Sequence, residues 1–93
     1  MELSERYIQK LEREFPFVFE WQDAAGTVYE EHAHAGKVSL YVTDGSITFD
    51  FEGELKEVKQ NEHFDVPVGK LHSAVVGPKG WIVIVGEEVD GDS

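Results

Sequence analysis

Residues 38–51 read VSLYVTDGSITFDF. Val38, Leu40 and Val42 alternate with Ser39, Tyr41 and Thr43 before Asp44-Gly45. After that pair, Ile47, Phe49 and Phe51 alternate with Thr48, Asp50 and Glu52. A period of two sends alternate side chains to opposite faces of a strand, so each run has one apolar face to bury. A D-G pair between two such runs predicts a β-hairpin.

The same punctuation continues toward the C-terminus. Gly53-Glu54 predicts a turn, and Leu55 and Val58 lie in a charged strand suited to a sheet edge. Phe64 and Val66 form a short strand that ends at Pro67-Val68-Gly69. His72 to Val76 is another strand, Gly77-Pro78-Lys79-Gly80 a loop, and Trp81 to Val85 the last strand. Glu87 to Ser93 is acidic with one glycine and is expected to fray. On the N-terminal side, Thr27 to His34 reads as a strand broken by Ala35-Gly36-Lys37. Asp23-Ala24-Ala25-Gly26 is a turn, and Phe17 and Phe19 alternate in a first strand. Before Pro16 the period changes: Tyr7, Ile8, Leu11 and Phe15 fall at helical spacing. With Ser4 as N-cap and Glu5 in the first turn, this predicts a helix over 4–14 with one apolar stripe.

About eight short strands with brief turns and no helical crossovers imply an all-β, antiparallel sandwich or barrel. The chain, 93 residues, is expected to be one domain: helix 4–14, barrel 17–86 and tail 87–93. It carries 19 acidic against 8 basic residues, a net charge of −11. That argues against nucleic acid and anionic membranes as partners, since both need a positive surface. No cysteine is present, so a metal would need nitrogen or oxygen ligands and a thiolate nucleophile is excluded. The N-terminus lacks the pattern of a signal peptide, and a cytoplasmic protein is the expectation. Neither a Gly-rich phosphate loop nor a G-x-S-x-G occurs, and Ser4, Ser39, Ser46, Ser73 and Ser93 suggest no nucleophile arrangement.

The chemistry is concentrated in four histidines: His32, His34, His63 and His72. His32 and His34 stand two apart, so a strand would turn both to one face, about 7 Å apart. Imidazole is among the commonest metal ligands. An H-x-H pair alone is weak, because exposed strands carry it by chance. His63 alternates with Phe64 and Val66 and reads as an exposed strand histidine. Lys37 and Lys70 read as solvated turn lysines, and Tyr41 and Trp81 as core or interface aromatics.

The spacing around these histidines adds to that reading. Gly26-x5-His32-x-His34-x3-Val38-x6-Gly45 resembles the first cupin motif, G-x5-H-x-H-x3,4-E-x6-G. Pro67-x-Gly69-x2-His72 resembles the second, G-x5-P-x-G-x2-H-x3-N, after a gap of fifteen residues, Ser46 to Gln60. The resemblance covers Phe17 to Val85 and implies a double-stranded β-helix, or jelly-roll, cupin barrel. It further implies that His32, His34 and His72 bind a divalent metal inside the barrel (Fe, Zn, Ni or Cu), and that the partner is a small molecule. Small cupins commonly dimerise, so a homodimer is also implied.

Three departures stand out. Asn61 replaces the second motif's opening glycine and Val76 its closing asparagine. Val38 occupies the slot of the family's glutamate ligand, and the one-residue shift gives Ser39. Three readings follow: a three-histidine site drawing an anionic ligand or hydroxide, a substitute acid such as the in-phase Glu30 rather than Glu31, or a pocket that binds without metal. The function is thus either metal-dependent chemistry on a small molecule or non-catalytic ligand binding, because the fold hosts both.

Overall fold

The computed structural model describes residues 3–92. Two long strands organise them. β3 runs unbroken over Val38–Phe51 and β6 over His72–Glu87. The Asp44-Gly45 hairpin expected from sequence is therefore a bend inside one strand, and the loop expected at 77–80 is a bend inside the other. The strands pair antiparallel along their length, from Val38↔Glu87 to Asp50↔Ser73, with irregular register around Gly45. Bending them together keeps their ladder intact, which satisfies more backbone groups than a hairpin at Gly45 would.

Gly45 makes the bend possible. Its φ is 73°, and a Cβ there would stand 1.9 Å from the Gly80 carbonyl oxygen. Only a residue without a side chain lets the two backbones approach so closely.

The bends divide the sheet into two halves. In one, the Trp81–Glu87 part of β6 pairs with β1 (Phe17–Asp23) and with the first part of β3, which also pairs with β5 (His63–Val66). In the other, the beginning of β6 pairs with β2 (Val28–His32), and the end of β3 pairs with β4 (Glu54–Lys59). Counting each bent strand twice recovers the eight expected segments. Among the described residues no ladder joins β1 to β2 or β4 to β5, so the expected barrel is a two-layered sheet that is not closed.

Between the halves lies the main core, with Val38, Leu40, Val42, Ile47, Phe49, Val58, Val76, Val83 and Val85 all buried. The opposite phase of the first half faces α1 (Leu3–Glu12). There Leu11, Tyr41 and Ile84 are buried with Tyr7, Ile8, Phe15 and Val18 against them. Leu11 is fully buried; covering such a side chain contributes about 2 kcal/mol, more than ten residues of helix supply unaided. The helix is shorter than expected. Ser4 lies inside it rather than capping it, and it closes where the Leu11 carbonyl accepts the amides of both Glu14 and Phe15. No helix among the described residues is long and apolar enough to cross a membrane.

The C-terminal segment also departs from expectation. Glu87 ends β6 instead of opening a frayed tail. Beyond it, the Asp92 carboxylate accepts the amides of Ala35 and Gly36, both at 3.0 Å, and the Glu88 amide donates to the Lys37 carbonyl. These bonds tie the acidic end to the loop between β2 and β3. Burial opposes the Asp92 charge, but those amides and the neighbouring His34 and His32 outweigh it and hold the carboxyl below its usual value.

Candidate functional site

His32, His34 and His72 come together as the motif spacing implied, although alternation does not explain all of it. β2 stops at His32, so His34 stands outside the strand. His32 faces His72 directly across the β2–β6 ladder. Their ring centroids are 4.6 Å apart, and His34 lies 4.9 Å from His32 and 5.1 Å from His72. The ligating atoms of the three all fall within 4.8 Å of one another.

Each ring is held by its Nδ1. That atom lies 2.6 Å from the Glu30 carbonyl in His32, 2.9 Å from the Asp92 carbonyl in His34 and 2.9 Å from the Lys70 carbonyl in His72. A carbonyl only accepts, so each Nδ1 carries a proton, and the nitrogen left to ligate a cation is Nε2. Metal-binding imidazoles are oriented in this way. The Nε2 of His72 is buried and has no hydrogen-bond partner. Burial above all, and the nearness of the His32 and His34 imidazoles, push the His72 imidazole below its usual value, against the pull of the Lys70 carbonyl. His72 therefore stays neutral, the form that binds a cation. An oriented imidazole donor set with an unsatisfied buried nitrogen fits a divalent metal.

The histidines line a cavity of about 300 Å³ whose other walls include Phe19, Trp21, Tyr29, Leu40, Phe49, Trp81 and Glu87. Such a volume suits a small molecule. Trp21 is 51% exposed, so this part of the wall reaches solvent. Val38 is buried in the wall, as its phase predicts. Glu30 and Glu31 are exposed, so neither is the substitute acid. Glu87, which the sequence reading assigns to the tail, is the acid inside: it is 1% exposed, and its Oε2 has no partner. A signal for it exists in the sequence, because Glu87 continues the inward phase of Val83 and Val85.

A second group sits at the aromatic wall. The Tyr29 hydroxyl donates to Asp23, and the Trp81 Nε1–H donates to the same carboxylate at 2.8 Å. The Trp21 Nε1–H reaches Asp23 at 3.1 Å and the Tyr29 oxygen at 3.2 Å. Burial, then the hydrogen bond to Asp23 and its charge, raise the Tyr29 phenol to about 12, while the Trp21 donor works the other way. A phenol that keeps its proton in the folded state stabilises it, and that contribution is lost as pH rises from the usual 10 toward 12. Absorbance titration at alkaline pH is expected to show a phenolate step near 12 that disappears in Tyr29→Phe. Superimposable curves for the two proteins across that step would refute the assignment.

His63 is exposed, as expected, yet it is not free. Its Nε2 lies 3.0 Å from the Ser39 Oγ and 2.8 Å from Asp65 Oδ1, and Ser39 donates to Asp65 at 2.7 Å. The residue types suggest a nucleophile relay, but the geometry does not. Serine and carboxylate share one ring nitrogen, and Ser39 is 2% exposed. His63 also stacks on Tyr41, so the group braces β5 against β3. Lys37 and Lys70 are exposed, and Lys70 lies over the Phe51 ring at 5.3 Å.

Two bent antiparallel layers enclosing a histidine-lined cavity define a double-stranded β-helix. An RmlC-like cupin from Shewanella frigidimarina matches with a TM-score of 0.67 and 26% identity, over 82% of this chain and 68% of that one. KdgF from a Halomonas species matches at 0.65 and 22%, over 81% and 70%. The polyketide cyclase RemF from Streptomyces resistomycificus matches at 0.65 and 24%, over 77% and 54%. No protein-family model and no curated protein matches the chain. In its fold the chain is similar to these small cupins.

Proposed function

We propose that the chain binds a divalent metal ion through His32, His34 and His72 and presents it to a small molecule held in the adjoining cavity. One observation carries the reading: all three rings are fixed by Nδ1–H bonds to backbone carbonyls, and the three offer ligating nitrogens within 4.8 Å of one another. Fixing them beforehand removes much of the ordering cost of binding an ion. A bound ion supplies Lewis acidity there. The chain's own residues shape what can reach it. Phe19, Tyr29 and Trp81 offer flat apolar surface, and the Asp23–Tyr29 pair presents a polar group beside it. A small organic molecule with an apolar body and one or two polar groups suits that lining. The likeness to RemF, a polyketide cyclase, supports a substrate of that kind.

Elemental analysis of protein made without a histidine tag tests the reading. Close to one ion of iron, zinc, nickel or copper per chain is expected, either as isolated or after loading and desalting. Protein that stays empty with all four metals would remove it.

A further inference from the structure

Glu87 is the residue that the proposed metal site leaves unexplained. It ends β6 in the same phase as Val83 and Val85, so its side chain turns into the cavity rather than toward α1. It is 1% exposed, and its Oε2 finds no hydrogen-bond partner. No lysine or arginine lines the cavity among the described residues. A carboxylate placed in an apolar wall without a counter-charge is costly. A cation bound in the cavity would offset that cost.

Its place in the sheet is informative. Glu87 is the direct ladder partner of Val38, the position where the first motif lacks its glutamate. The negative charge is therefore absent from β3 but present one strand over. We infer that Glu87 compensates the charge of the cation bound by His32, His34 and His72, doing from β6 what Val38 cannot do from β3. This rests on the histidine site proposed above. Glu87 does not belong to the group of ligating atoms within 4.8 Å, so it acts across the cavity through its charge and not as a fourth ligand. Three neutral imidazoles leave a divalent ion at +2, and one carboxylate lowers that to +1. The site then does not require an anionic molecule. A neutral one with a hydroxyl or amine to donate to Glu87 fits as well.

Titration with Co(II) alone, followed by its visible absorption, tests this on the metal-free protein. Glu87→Gln keeps the shape and removes the charge. It is expected to weaken Co(II) binding by about 10- to 100-fold, the range for groups that support a metal site without ligating it. Its metal-free thermal midpoint is expected to equal or exceed that of the wild type, because a costly buried charge is gone. Val38→Glu/Glu87→Val moves the carboxylate to the neighbouring strand and should restore most of the lost affinity. Equal Co(II) affinity in wild type and Glu87→Gln, or a loss that the exchange leaves unrestored, overturns the inference. Wild-type protein that takes up no Co(II) instead overturns the histidine site itself.

Discussion

Gly45→Ala is expected to destabilise the fold by about 3 kcal/mol, seen as a large fall in the urea midpoint with little change in slope. Two costs combine. At φ 73° an L side chain is strained, worth about 1 kcal/mol or more. The added Cβ would also stand 1.9 Å from the Gly80 carbonyl oxygen. That oxygen is backbone in the middle of β6 and cannot swing aside, so the strands must separate where they bend together. Forced overpacking of this kind typically costs about 1–3 kcal/mol. Gly53→Ala is the control, since Gly53 has φ 98° but nothing within 4 Å of the point a Cβ would occupy. It should lose only the backbone part, about 1 kcal/mol. Equal losses in the two variants would show that close approach at Gly45 is not what the bend requires. A domain of this size has about 5–15 kcal/mol in total, so the Gly45 variant would forfeit a substantial share.

The same glycine shows where sequence reading stops. Alternation on both sides of Asp44-Gly45 is compatible with a hairpin and with a bent strand, because both need a positive φ at that point. The deciding fact is non-local: β6 carries Gly77 and Gly80 opposite and bends with β3. Pattern within fourteen residues cannot contain that. The three histidines are legible because the spacing of two motifs encodes the fold that unites them. Glu87 is hidden by its company, since Glu88, Asp90 and Asp92 make the segment look like a solvated tail. Extending the Trp81, Val83, Val85 phase by two residues places it indoors. Strand alternation puts His34 on the right face for an incomplete reason. His34 lies past the end of β2 and is held by the Asp92 carbonyl, a contact 58 residues away. The group Ser39–His63–Asp65 likewise joins positions that only the pairing of β3 with β5 brings near.

His72→Leu should separate what the histidine contributes to folding from what it contributes to the metal. The ring is 1% exposed and packs against Phe49 and Phe51, with centroids 5.8 and 5.2 Å away. Its Nε2 is buried without a partner. The exchange removes an unsatisfied buried polar atom, and the bond it loses leaves a carbonyl on the exposed Lys70, so the balance is close to neutral or stabilising. The metal-free variant is therefore expected to melt at or above the wild-type temperature at neutral pH. Zinc should reverse the order. At a free concentration about a thousand times its dissociation constant, an ion that binds only the folded chain adds about 4 kcal/mol. The wild type should gain that and His72→Leu almost none of it. The pH profile supplies an independent check. The folded chain resists protonating His72, whose usual value is 6.5, whereas the unfolded chain does not. Below that value the unfolded state takes up a proton that the folded state refuses, so metal-free stability falls as the pH drops and is level above it. His72→Leu lacks this group and should lose correspondingly less stability on acidification. If zinc raises the melting temperature of the variant as much as that of the wild type, the ion is binding somewhere other than the three histidines.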